Sequence, residues 1–228
     1  MAKKKEQAAD NLIAVEEALS KTEQFIEKNK NLLTYIVIGI IIIVLGYMGF
    51  KKFILTPKEL EAQAQMFMAE QYFEKDSLQL ALYGDQNLNA GFIQIIEDYG
   101  ITKSANLANY YAGICFLKLG DFQSAIDYLE DFNSDDMMVA PMAEGAIGDA
   151  YLELGSNKEA LDHYLAAADM NVNQLTSPLF LMKAAWTYEL LGKNEKAIEV
   201  YKRIKRDFPN STEANEIEKH ITKAGGTI

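Results

Sequence analysis

The sequence predicts an all-α protein in which one apolar helix near the N-terminus is followed by a solenoid of paired helices. Two observations carry this prediction: a run of nineteen uncharged residues from Leu32 to Phe50, and three later segments that repeat one pattern of small and large residues. The 228 residues include only four prolines and fourteen glycines, so long stretches are free of helix-breaking residues. This composition favours helices over a loop-rich β fold.

The apolar run has the length and composition of a membrane-spanning helix. At about 1.5 Å per residue it extends roughly 28 Å, close to the hydrocarbon thickness of a bilayer. Tyr35 and Tyr47 stand near its two ends, where aromatic rings prefer the interface. Lysines flank the run on both sides, at Lys28, Lys30, Lys51 and Lys52. The sequence therefore predicts a transmembrane helix over residues 32–53 that contacts the lipid bilayer.

The main alternative is a cleaved signal peptide. Thirty-one residues precede the run, which is longer than the charged region of a signal peptide, so we expect the segment to remain in the mature protein. Residues 1–31 carry six lysines and six acidic residues. This short tail is a better guide to orientation than the long domain that follows. It predicts a cytoplasmic tail and places the C-terminal domain, residues 54–228, on the outer side of the membrane.

Two further features concern the membrane region. An amphipathic N-terminal helix is predicted by apolar residues at heptad-like spacing before the span, namely Leu12, Val15, Leu19 and Ile26. Such a helix fits either the lipid surface or a membrane partner, and both interpretations stay open. Within the span, Gly39 and Gly46 are seven residues apart on one helix face. They predict a packing surface against another membrane helix.

Three segments downstream share a common frame. They cover residues 110–132, 145–167 and 182–204, and their marker glycines are Gly120, Gly155 and Gly192. The glycines are 35 and 37 residues apart, and each stands between two amphipathic stretches. A helix–turn–helix unit needs a residue free of Cβ strain at this position. The pattern therefore predicts three repeated helix pairs.

These residues resemble the tetratricopeptide repeat, whose unit has 34 residues. The close-contact positions of the first helices are Ala112, Gly113, Ile147, Gly148, Ala184 and Ala185. Bulky aromatic residues follow at Phe116, Tyr151 and Tyr188. The second helices carry Ala125, Ala160 and Ala197, followed by Leu129, Tyr164 and Tyr201. The resemblance covers about residues 57–223 and implies a tetratricopeptide-like α-solenoid.

The resemblance divides the C-terminal domain into units. A degenerate unit is expected over 57–100, with helices around Pro57–Lys75 and Ala90–Tyr99 and a loop near Asp76–Asn89. Repeats follow at about 106–140, 141–177 and 178–210. Ser211 or Thr212 is then expected to cap a final helix within residues 211–223, which covers the end of the solenoid.

The sequence contains no motif for catalysis, metals or cofactors. There is no nucleophile elbow, glycine-rich phosphate loop or HExxH motif. The two histidines, His163 and His220, fall on predicted helices, where solvent-facing positions are expected. The net charge of −11 argues against a nucleic-acid partner, which requires a basic face. The sequence therefore predicts a protein that is not an enzyme and that has no catalytic residue, metal site or cofactor.

Surface recognition is the remaining class of function. In the tetratricopeptide family the first helix of each unit lines a concave groove. Carried over by position, the resemblance implies a partner or peptide groove lined by Leu107, Tyr110, Met142, Asp149, Leu179, Met182 and Trp186. Ile114 and Leu117 also lie on these helices, and core packing is the favoured interpretation for them. An apolar lining with methionines suits an adaptable contact with a peptide or helix.

The whole architecture resembles the ancillary subunit of the bacterial Sec translocon, a single-pass family with tetratricopeptide repeats. The local resemblance is Ala14-Val15-Glu16, then Phe25-Ile26-Glu27-Lys28-Asn29 leading into the span. It implies a bacterial inner-membrane protein with a periplasmic domain. Its implied partners are translocon channel subunits, a membrane-anchored peptidyl-prolyl isomerase or chaperone, and unfolded exported proteins. Two alternatives stay open: an adaptor for another envelope assembly complex, and a cytoplasm-facing membrane receptor.

Overall fold

The computed structural model describes residues 25–85 and 89–227. Leu12, Val15 and Leu19 of the predicted amphipathic helix lie outside this part of the chain. The chain divides into two compact units, Met1–Pro57 and Lys58–Ile228. The first unit holds the apolar run, and the second holds the repeats.

The first unit contains helix α1, Lys30–Phe50, followed by a π-helical turn over Lys51–Leu55. None of the α1 residues is buried. The Thr34 hydroxyl donates to the Lys30 carbonyl oxygen at 2.8 Å, so this polar group finds its partner within the helix, as a bilayer core requires. By length and composition, this helix is the one candidate membrane span among the described residues.

The second unit is built from helices, and the described residues contain no β-strand beyond an isolated bridge between Asp85 and Asn89. The helices are α2 Thr56–Glu74, α3 Leu78–Tyr83, α4 Phe92–Tyr99, α5 Lys103–Leu119, α6 Phe122–Glu130, α7 Val139–Glu153, α8 Asn157–Met170, α9 Thr176–Leu190, α10 Asn194–Asp207 and α11 Ile217–Lys223, with a 3₁₀ turn at Glu213–Glu216. The predicted all-α fold class is confirmed.

Three helix pairs, α5–α6, α7–α8 and α9–α10, share one kind of turn between their members. Gly120, Gly155 and Gly192 adopt left-handed φ angles of 83°, 77° and 69°. In each pair the glycine N–H donates to the carbonyl oxygen three residues earlier, and the following N–H donates to the carbonyl oxygen five residues before it. This closure satisfies carbonyl groups at the helix end. The predicted need for a residue free of Cβ strain is therefore confirmed.

Small residues in the first helices let the second helices approach closely. A Cβ on Gly113 would lie 2.5 Å from Leu129 Cγ, and one on Gly148 would lie 2.7 Å from Tyr164 Cε1. Both partners are buried, so they have little room to move aside. Two apolar clusters result, one running from α2 to α7 and the other from α8 to α11.

The segment before the first full pair differs from the prediction. A loop is expected near Asp76–Asn89, but part of it forms helix α3. Leu78, Ala81 and Leu82 of this helix are buried, because their spacing of three and four residues puts them on one face of a short helix. The expected helices on either side are present as α2 and α4.

The C-terminal end of the solenoid is covered by α11. Ser211 Oγ accepts a hydrogen bond from the Ala214 N–H at 3.2 Å, and the 3₁₀ turn then leads into α11. Ile217 and Ile221 are buried in the second apolar cluster. The predicted capping helix is confirmed, and it ends at Lys223 as expected.

Candidate interaction groove

The sequence predicts a groove along the first helices of the full pairs, α5, α7 and α9. An open cleft of about 530 Å³ lies where α5 and α7 end. Its lining consists of Leu117, Lys118, Leu119, Gly120, Phe122, Asp149, Leu152 and Glu153. The cleft therefore has a mixed lining of apolar and charged side chains, and Asp149 is the predicted groove residue that it contains.

Two other predicted groove residues are open to solvent. Met142 is 38 % exposed and Trp186 is 47 % exposed. Leu107, Tyr110 and Leu179 are half-buried, because they pack against the two apolar clusters. Met142 and Trp186 are thus the large apolar side chains of the predicted set that a partner can contact most fully.

The structure corrects the prediction for Met182. Its side chain is only 5 % exposed and belongs to the cluster from α8 to α11. An unbranched thioether fills irregular interior space well. Met182 therefore packs inside the solenoid and does not line the groove.

Asp149 is held in an ion pair. Lys183 Nζ on α9 lies 2.6 and 2.7 Å from its two carboxylate oxygens, and the Tyr164 hydroxyl on α8 donates to it at 2.6 Å. Burial raises the pKa of Tyr164, and the hydrogen bond to Asp149 raises it further. Lys183 Nζ also lies 5.6 and 5.7 Å from the ring centroids of Tyr164 and Phe180. These side chains link the second helix pair to the third.

The lysine in the cleft is also paired. Lys118 Nζ lies 2.6 Å from Asp76 Oδ1 and 5.6 Å from the Phe73 ring centroid. Glu153, in contrast, has no hydrogen-bond or ion-pair partner in the part of the chain that the structure describes. The cleft thus offers a partner apolar surface and one carboxylate that is free to pair.

A second cleft, of about 350 Å³, lies between α2 and α5 and includes Leu107. Here Glu59 accepts hydrogen bonds of 2.7 Å from the Lys103 N–H and from the Ser104 hydroxyl. Burial pushes the pKa of Glu59 upward, but these hydrogen bonds outweigh burial and hold the pKa below its usual value. A carboxylate at a helix N-terminus is stabilising, so Glu59 fixes α2 to the start of α5.

The two histidines differ from the prediction. His163 Nδ1 lies 2.8 Å from Glu144 Oε1, and the ring stacks on Tyr151 with centroids 5.2 Å apart. His220 on α11 makes a tilted ring contact with Trp186 at 6.3 Å. Both histidines are half-buried. The expectation of solvent-facing positions is wrong, because each ring packs against an aromatic residue of another helix.

A metal-ligating cluster and an exposed cysteine are both absent from the described residues. Within 25–85 and 89–227, no group of three or more His, Cys, Asp or Glu side chains is placed to hold a metal ion. Cys115 is fully buried, and burial raises the pKa of its thiol to about 12. The reactive thiolate is therefore not available at neutral pH.

The sequence did not predict that Gly145 makes room for a side chain of the next helix pair. On α7 it stands where α5 carries Tyr110 and α9 carries Met182. The Phe180 ring of the next pair fills the space beside it. The available signal was a glycine inside a helix at a position where the other pairs have large side chains.

The stacked helix pairs define a class of fold, the tetratricopeptide-like α-solenoid. Tetratricopeptide-repeat family models match residues 107–135 and 146–212. Tetratricopeptide repeats are therefore present in this chain. A search of curated proteins gives no match.

Solved structures show the same fold. Two crystal structures of a protein described as a putative kinesin light chain from Podosopora anserina, with nearly identical TPR-like repeats, both superpose with a TM-score of 0.55. One of them is 14 % identical to this chain and the other is 15 % identical. The likeness covers 72 % of this chain and 84 % or 85 % of theirs. At this identity the likeness concerns the fold alone.

Proposed function

We propose that this protein is a membrane-anchored scaffold that binds partner proteins through the groove of its repeat unit. The observation that carries the proposal is that α1 is long, apolar and wholly unburied, while the repeat unit completes its own core. A helix of this kind needs an apolar surrounding that the described chain does not supply, and a bilayer supplies it.

The groove supports binding of a partner segment with an apolar face. Lys118 and Asp149 are both engaged in ion pairs, so they have little charge to offer a ligand. Exposed Met142 and Trp186 and the leucines of the 530 Å³ cleft offer apolar contact. Trp is enriched among the residues that dominate binding energy at interfaces, so Trp186 is the residue expected to contribute most.

We further propose that the scaffold is an accessory subunit at the exit side of the Sec translocon in a bacterial inner membrane. The tail would be cytoplasmic and the repeat unit periplasmic. The partners would be channel subunits and a membrane-anchored isomerase or chaperone, and exported clients would be assisted there. Two observations support this proposal: the segment that leads into the span, within residues 14–29, resembles that family, and tetratricopeptide repeats follow the span.

Membrane topology is the first test. Intact spheroplasts are treated with protease, and the fragments are detected with separate tags on the two termini. We expect loss of the C-terminal tag and protection of the N-terminal tag. A protected C-terminal tag would overturn the translocon proposal and favour the cytoplasm-facing receptor.

Copurification from gently solubilised membranes is the second test. We expect channel subunits to copurify with the wild-type chain. We expect less of the groove-bound partner to copurify with Met142→Ala/Trp186→Ala. The matched control is Phe67→Ala, which removes an exposed side chain (61 %) on α2. Recovery of a different envelope complex would contradict the translocon assignment. Equal recovery with the groove variant would contradict binding through the groove.

A further inference from the structure

The two loops that join consecutive helix pairs expose large apolar side chains. In residues 131–138, Met137 is 60 % exposed and Met138 is 37 % exposed. In residues 171–175, Val172 is 62 % exposed and Leu175 is 65 % exposed. Side chains of this kind are costly to leave in water unless a partner covers them.

The same hydrogen-bond pattern stabilises both loops: a side-chain oxygen accepts from two backbone N–H groups that follow it in the chain. Asp136 Oδ1 accepts the N–H groups of Met138 and Val139 at 2.8 and 2.9 Å. Asn173 Oδ1 accepts the N–H groups of Leu175 and Thr176, both at 2.8 Å. The exposed side chains therefore sit on a fixed backbone, which lowers the entropy lost on binding.

The two loops are also neighbours. Asn173 Nδ2 lies 2.7 Å from the Asn171 carbonyl oxygen and 3.5 Å from the Met137 carbonyl oxygen. This side chain therefore joins the two loops, and the four exposed apolar residues belong to adjacent loops of the solenoid. We call this surface the loop edge: Met137, Met138, Val172 and Leu175.

The segment around the first loop of the loop edge is acidic, whereas Asp169, beside the second loop, is paired with Arg203. Residues 119–157 contain no lysine or arginine but nine acidic residues. Asp131, Asp135 and Asp136 are exposed in the first loop itself. Over residues 58–192 there are 21 acidic residues and six basic ones. A partner with positive charge beside its apolar contact is therefore attracted, and an acidic one is repelled.

We propose that the loop edge is a second interaction surface, which binds an amphipathic partner segment that has one apolar face flanked by lysine or arginine. Met138 and Leu175 stand four residues before Met142 and Leu179, so the loop edge adjoins the groove without sharing a residue with it. The apolar residues supply the contact area, and the acidic residues select the charge of the partner.

The test uses the full chain in nanodiscs of zwitterionic lipid and three labelled synthetic peptides. The first is a leucine–lysine amphipathic helix, the second has glutamate in place of lysine, and the third has alanine in place of leucine. Fluorescence anisotropy measures binding, and empty nanodiscs give the lipid background. We expect binding of the leucine–lysine peptide alone, with an affinity that falls as salt is raised.

Variants locate the site. We expect Met137→Ser/Leu175→Ser to weaken binding of the leucine–lysine peptide at least about tenfold, because apolar contact is lost. We expect Asp131→Lys/Asp135→Lys to weaken this binding as well, because the charge that attracts the peptide is reversed. The matched control is Leu154→Ser/Leu190→Ser, at side chains that are 47 % and 66 % exposed away from the two loops, and it should bind as the wild type does. Circular dichroism verifies that each variant is folded.

Three results would overturn the proposal: equal binding of the glutamate peptide, unchanged binding by both loop-edge variants, or a signal that empty nanodiscs reproduce. The last result would identify lipid as the occupant. If Met142→Ala/Trp186→Ala abolishes peptide binding while the loop-edge variants do not, the groove proposal stands and the loop-edge proposal fails.

Discussion

The Phe180 ring on α9 occupies the space that a side chain on Gly145 of α7 would need. A Cβ placed on Gly145 would overlap Cε1 and Cζ of this ring. Phe180 is 2 % exposed, so the ring has no open space to move into. The contact joins two consecutive helix pairs, and it requires a glycine where the neighbouring pairs carry large residues.

Replacing Gly145 with alanine is expected to destabilise the repeat unit. Alanine favours a helix over glycine by about 1 kcal/mol, so a helix without this contact would be stabilised. Here the clash with a buried ring is expected to dominate and lower the free energy of unfolding by about 1–3 kcal/mol. Denaturant unfolding of the full-length protein in detergent, followed by circular dichroism, measures the change.

The matched control for Gly145→Ala is the double variant with Phe180→Leu. The smaller side chain should leave room for the new methyl group, so the two substitutions should be non-additive, with the double variant more stable than the sum predicts. Additive effects would show that the ring does not limit the size of residue 145.

Substitution of the turn glycine Gly155 tests backbone conformation alone. Its φ is +77°, and no atom lies within 4 Å of a Cβ built on it. Gly155→Ala is therefore expected to cost about 1–2 kcal/mol through left-handed strain alone. Gly155→Asn should cost less, since asparagine tolerates this region better. Equal losses for alanine and asparagine in denaturant unfolding would contradict this explanation.

The pair of His163 and Glu144 predicts a pH-dependent contribution to stability. The hydrogen bond to Glu144 is the main cause that raises the pKa of His163 above its ordinary 6.5 in the folded state, although burial opposes it. A raised folded-state pKa gives stability that is complete below the unfolded pKa and is lost as pH rises through the folded pKa. The His163–Glu144 pair therefore adds to the free energy of unfolding at acidic pH, and this contribution is lost as the pH rises through the folded-state pKa of His163.

Glu144→Gln is the variant for this test. The loss in free energy of unfolding should be larger at about pH 5.5 than at about pH 8.5, because only the protonated imidazole gains from the carboxylate. In a His163→Gln background the same substitution should have the same effect at both pH values. A loss that does not vary with pH in the wild-type background would contradict the prediction. Glu130 and Asp162 add smaller raising effects on the pKa of His163, so both are kept in every variant.

Substitutions at Gly39 and Gly46 test the predicted packing face of α1. No atom lies within 4 Å of a Cβ built on either glycine, so Gly39→Leu/Gly46→Leu should leave α1 and the repeat unit folded. We expect weaker copurification of a membrane partner, because small residues allow close approach of helices. The control is Ile41→Leu/Met48→Leu on the opposite helix face. Equal copurification for the two variants would mean that the glycine face contacts lipid.

Local features of this fold were predictable from the sequence because they depend on neighbouring residues. The turn glycines Gly120, Gly155 and Gly192 were recognised from spacing, since left-handed φ angles are a local requirement. Helix α3 was missed because a helix of six residues is too short for periodicity to distinguish it from a loop. Its formation depends on burial of Leu78 and Leu82 against the rest of the unit.

Side-chain partners between helix pairs were not predictable. Asp149 lines the cleft, but the sequence does not predict its ion pair with Lys183, which is 34 residues away. Met182 is predicted to line the groove, and it is buried. Both outcomes depend on how one pair rotates against the next, and a single repeat pattern does not contain that information.

The amino-acid sequence alone predicts an apolar run of membrane-spanning length, three helix pairs with glycine turns, and a capping helix. These follow from hydropathy, periodicity and backbone preference, which act within a few residues. Three further features depend on the packing of the helices: Phe180 fills the space beside Gly145, the groove charges at Lys118 and Asp149 are paired, and the histidines pack between helices. Such contacts join residues far apart in the chain, so they exist only once the pairs are stacked.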